Sequence, residues 1–89
     1  FDGQAVVTNG DRLVVAASNT SQTWGVNDGN VSMISTTNPH QYFPFSHSRV
    51  YPVTAGNNTF YAVAHNYVET AGTGLVAIYG ILTVEFFPN

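Results

Sequence analysis

The chain is 89 residues long with a net charge of −3, carried by two Lys plus Arg and five Asp plus Glu residues. That length holds one domain spanning residues 1–89, or the C-terminal part of one, and leaves no room for a second. So few ions exclude the basic stripe that nucleic acid requires, and the absence of cysteine excludes disulfides, CxxC redox chemistry and thiolate metal sites.

The surface must instead be built from hydroxyl and amide groups. Val, Ile and Thr greatly outnumber Leu, a balance that suits pleated strands. No apolar run approaches the 18 or so residues of a membrane-spanning helix, the longest being residues 74–82 with Gly and Tyr inside it. The chain opens on Phe1 rather than Met, so a processed protein or a piece of a longer one is expected.

Residues 4–7 form a short apolar run that ends at Thr8-Asn9-Gly10-Asp11, where Asn-Gly supplies the positive φ of a tight turn. A hairpin is expected there, with residues 12–18 as its returning strand. That strand reads Leu13, Val15 and Ala17 on one face and Val14 and Ala16 on the other, so both faces should be covered. Residues 19–30 make a polar connection containing Trp24 and the Asn27-Asp28-Gly29 turn, and residues 31–34 make another short strand. Residues 35–44 hold two prolines without alternation and read as a long loop.

Residues 45–53 and 59–70 flank Ala55-Gly56-Asn57-Asn58 and read as a second hairpin. The last strand is expected over residues 75–87. Val76, Ile78, Leu82, Val84 and Phe86 share the face assigned to the core, and Gly80 marks a bulge or a close approach. The opposite face, with Tyr79 and Phe87, is too apolar for water, as is the face of residues 59–70 that carries Tyr61 and Tyr67. A two-layer sandwich fills only one inner face per sheet. These outer faces therefore call for a partner, and five or six strands leave an edge for a neighbouring chain to complete.

Ser46-His47-Ser48-Arg49-Val50-Tyr51, Thr59-Phe60-Tyr61-Ala62-Val63-Ala64, Asn66-Tyr67-Val68-Glu69-Thr70 and Tyr79-Gly80-Ile81-Leu82-Thr83-Val84 together resemble the C-terminal portion of bacterial domains similar to the C1q/TNF-type jelly roll. Asp11-Arg12-Leu13-Val14-Val15-Ala16-Ala17-Ser18 and Trp24-Gly25-Val26-Asn27-Asp28-Gly29-Asn30 fit an upstream strand and loop of that layout. The resemblance covers nearly all the chain and lacks the family's first strands. It implies a secreted or cell-surface trimeric head with aromatic faces between subunits, and it carries over no catalytic residues.

Little in the chain carries chemistry. His47 and His65 fall opposite or diagonal to each other in the expected second hairpin, but two nitrogen ligands do not make a metal site, and none is assigned. Asn27-Asp28-Gly29-Asn30 has turn spacing with a single carboxylate, which favours an Asx turn over a calcium loop. Ser46, His47 and Ser48 alternate across a strand and cannot form a nucleophile and base pair. The sequons at Asn19, Asn30 and Asn57 lie in or beside turns.

The expectation is thus an all-β, antiparallel, jelly-roll-like β-sandwich, incomplete without a neighbouring strand or chain. It is expected to act without cofactor or enzymatic activity as an extracellular structural or adhesive homo-oligomer, a trimer or filament, joined through Tyr61, Tyr67, Tyr79 and Phe87. The alternative is a carbohydrate-binding module in which Trp24, Tyr42 and Phe43 stack on the rings of a glycan while Asn27 and Asp28 bind its hydroxyls.

Overall fold

The computed structural model describes residues 1–20, 29–67 and 76–88, with Val76 as backbone only. The described residues form six strands: β1 (Asp2–Thr8), β2 (Arg12–Ser18), β3 (Val31–Ile34), β4 (His40–Ser46), β5 (Tyr61–Tyr67) and β6 (Val76–Ile81). They form two antiparallel three-stranded sheets, ordered β4-β1-β6 and β3-β2-β5. No helix occurs among the described residues. The fold is all-β and forms an incomplete β-sandwich, as composition and alternation predict.

Each sheet is built on an apolar central strand. Ala5 and Val7 of β1 and Phe45 of β4 meet Leu13 and Val15 of β2 and Met33 of β3 in one buried cluster, so both sheets contribute to the core. Val14 and Ala16, on the other face of β2, are buried as well. Their cross-strand neighbours explain this: Val14 lies between Ser32 and His65, and Ala16 lies beside Val63. Directly opposed residues share a face, so the flanking side chains shade the small central ones. The expected two-sided cover of residues 12–18 is therefore present.

The Asn9-Gly10 turn forms, with the Asp11 amide donating to the Thr8 carbonyl at 2.9 Å and Gly10 at φ 89°. It does not make a hairpin, because β1 and β2 belong to different sheets. The turn carries the chain across the sandwich. The connection from β3 to β4 makes a second such crossing beside it, and the two are tied together by backbone bonds from Asn9 to Pro39, Gly10 to Ser35 and Ser35 to Asp11, at 3.0, 3.0 and 3.1 Å. The crossings thus satisfy each other's polar groups at this end.

Three further expectations are corrected. Part of the expected 35–44 loop is strand β4, which carries Pro44 opposite Gln4. An outer strand of a sheet can spare one N–H, and β4 is outermost in its sheet. The second hairpin is also not formed: residues 47–60 lie outside strands, and β5 pairs along its whole length with β2. The turn itself is present, with the Asn58 side-chain Nδ2 donating to the Thr54 and Gly56 carbonyls at 2.9 and 3.3 Å. His47 gives its amide to Phe1 and its ring nitrogen Nδ1 accepts the Ala17 amide at 2.9 Å, which binds the chain after β4 across both sheets instead.

The last strand is shorter than expected. Its ladder with β1 runs from Val7 and Val76 to Asp2 and Ile81 and stops there. Ile78 packs on the core, as its face predicts, whereas Val84 and Phe86 are 57% and 73% exposed. Side-chain alternation persists past the last paired backbone, so the core assignment fails for those two. Gly80 does mark a close approach: a Cβ there would stand 2.5 Å from the Phe1 ring and 3.0 Å from the Asp2 carbonyl oxygen.

Candidate functional surface

Among the described residues, five of the ten exposed large apolar side chains lie on β6 and the residues that follow it. Tyr79 is 69% exposed and Ile81 72%, and Val84, Phe86 and Phe87 continue the row. Among the described strands β6 is outermost in its sheet, and it contains no charge and no proline. A strand of that kind presents unpaired backbone groups with nothing to repel a neighbour.

Of the four residues assigned to an interface, Tyr79 and Phe87 are openly exposed. Tyr61 begins β5 opposite Ser18, at the edge of the other sheet. Tyr67 ends β5 and is half-buried, its ring 4.4 Å beneath the Arg12 guanidinium and 4.2 Å from the His65 ring. The four are therefore distributed over both sheets rather than forming one patch. Sequence alternation places Tyr79 and Ile81 on the outer face, where both are exposed, but assigns Val84 and Phe86 to the core, because it places no limit on where the ladder ends.

The residues assigned to sugar binding divide differently. Trp24, Asn27 and Asp28 lie outside the described residues. Tyr42 is 60% exposed and meets the His40 ring edge-on at 5.4 Å, while Phe43 packs against the core. Adjacent residues on a strand point to opposite faces, so Tyr42 and Phe43 cannot offer two rings to one ligand, as the loop reading required.

His40, His47 and His65 are dispersed. His40 starts β4 opposite Thr8, His47 follows the other end of β4, and His65 sits on β5 opposite Val14. The missing hairpin was the element that would have aligned the last two. Among the described residues there is no group of three or more His, Asp or Glu side chains placed to hold a metal ion.

A polar cluster sits at the crossing end. Asp11 is 1% exposed and accepts a bond from Asn66 Nδ2 at 3.4 Å. Beside it the Arg12 guanidinium lies over the Tyr67 ring, and Arg12 Nε and Asn66 Oδ1 are buried without a hydrogen-bond partner among the described residues. Its polar contacts lie between β2, β5 and the crossing chain, where they bind the corner of the sandwich together.

Comparison of the chain with protein-family models, with curated proteins and with solved structures finds no match. Among the described residues no helix is long and apolar enough to cross a membrane.

Proposed function

We propose that the chain is a non-enzymatic structural or adhesive subunit, secreted or displayed at a cell surface, that assembles with copies of itself. One observation carries this reading: Tyr79, Ile81, Val84, Phe86 and Phe87 form an exposed apolar run on and beyond an outer strand. An outer strand is seldom left with so many exposed apolar side chains on and beyond it, and aromatic residues are enriched where interfaces are buried. The resemblance to C1q/TNF-type heads supports the same role and implies three copies, with a jelly-roll layout completed by further strands.

Light scattering at micromolar concentration tests the reading. The expected result is an integral multiple of the 9.6 kDa chain mass. A stable, folded species of that single mass overturns it. Screening against a glycan array discriminates the carbohydrate-binding alternative, for which assembly is unnecessary and binding to defined sugars is required.

A further inference from the structure

We infer that the contact between copies is a strand pairing, in which β6 and the residues after it lie antiparallel to the same segment of a second copy across a two-fold axis. This inference rests on the self-assembly reading, specifies its surface, and gives a pair in place of the three copies that the C1q/TNF-type resemblance implies. The two three-stranded sheets would become one six-stranded sheet, with β6 of each copy at the centre.

The choice of β6 follows from comparing the four outer strands. β4 carries Pro44, which removes a backbone donor, and β3 has only four residues. β5 also lacks proline and charge, but its exposed side chains are the small Ala62 and Ala64, the polar His65, and Tyr61 at 36%, so it offers less apolar surface than β6. β6 has neither proline nor charge, and residues 82–87 continue it with Glu85 as the one charged side chain. Native sheets usually blunt their edges with proline, charge or short length. β6 shows none of these.

The area available matches what a second copy needs. At about 200 Å² per aromatic side chain, Tyr79, Phe86 and Phe87 at their observed exposures leave roughly 400 Å² uncovered. Ile81, Val84 and the backbone of the edge add to that, toward the ~800 Å² that each partner of a standard interface buries.

The register is constrained as well. Residues directly opposed in an antiparallel pair share a face, so a two-fold axis normal to the sheet must fall on a residue and not between two. Pairing residues 76–87 over their full length centres the axis on Ile81 or Leu82. Centred on Ile81, Leu82 of one copy stands opposite Gly80 of the other, and Val84 stands opposite Ile78, which packs on the core. That arrangement explains why apolar alternation continues where the chain's own ladder stops.

The absence of cysteine makes a direct test clean. Ile81→Cys and Leu82→Cys are each oxidised mildly at micromolar concentration, with Ile34→Cys on exposed β3 as the control. One or both of the first two are expected to form a disulfide-linked dimer, since opposed Cα atoms in such a pair lie within disulfide reach, and the control is not. Thr83→Pro, outside every strand, is expected to lower the mass from two chains to one and to weaken association at least tenfold. An oligomer that survives Thr83→Pro and gives no link at either position overturns the strand pairing while leaving self-assembly through other faces intact. A wild-type monomer overturns both.

Discussion

Gly3 and Gly80 face each other across β1 and β6, and a side chain on Gly3 would meet only fixed backbone, whereas one on Gly80 would first meet the Phe1 ring. A Cβ on Gly3 would collide with the Tyr79 carbonyl oxygen and the backbone of Gly80, groups fixed by the ladder itself. Gly3→Ala should therefore displace a strand rather than a flexible side chain, with a cost of about 1–3 kcal/mol from overpacking. Thermal unfolding followed by circular dichroism checks this, and an unchanged midpoint would show that the two strands can separate without penalty. Tyr79 gives the complementary case, because its carbonyl belongs to that tight backbone while its ring stands in solvent. Tyr79→Ala is expected to leave the strand content unchanged and weaken association by about 2 kcal/mol, in the range of interface hot spots. Sedimentation of a dilution series measures it, and unfolding without dissociation would assign the ring a structural role.

The same residues show which parts of each element were legible in the sequence. The apolar pattern of β2 could be read at both faces, because a central strand writes its burial into its own side chains. The Asn9-Gly10 turn was legible as a turn but not as a crossing, since local turn chemistry does not record which sheet receives the next strand. β4 was hidden by Pro39 and Pro44, which a loop and an outer strand can both accept. β6 was extended too far because alternation is a property of side chains, whereas a strand ends where its backbone partner ends. Of the candidate site, the sequence identified the exposed aromatics but not their distribution over two sheets, which only strand order determines. A pair of substitutions separates the buried part of the pattern from the exposed part. Val15 is fully buried between the sheets, so Val15→Asp should abolish cooperative folding through an unpaired buried charge. Val84→Asp, at a mostly exposed position, should leave the melting of the single chain nearly unchanged and act on association instead. Loss of folding in the second variant would place Val84 in the core after all.

At the scale of the whole molecule, the chain is long and thin. Its radius of gyration is 14.6 Å and its extents are 48 × 19 × 17 Å, whereas a compact domain of this length has a radius near 12 Å. Among the described residues the buried cluster between the sheets comprises six, three of them Ala or Val from β1 and β2. A core of that size, in a chain with no disulfide, leaves little margin over the conformational entropy of ordering the strands. Covering the exposed run on β6 would add to stability in the folded state alone, because an unfolded chain presents no paired edge to join. Association and folding are then linked, and the melting temperature must depend on protein concentration. For a two-chain equilibrium each tenfold dilution removes about 1.4 kcal/mol per dimer, which corresponds to a fall of about 3–5 °C for a folding unit of this combined length. Differential scanning calorimetry at concentrations from micromolar to millimolar measures the slope. Thr83→Pro should abolish the slope while keeping the low-concentration midpoint, because it removes the joint between copies and leaves both sheets of each copy in place. A midpoint independent of concentration in the wild-type chain would mean that the six-residue core suffices by itself and that the exposed run contributes nothing to stability.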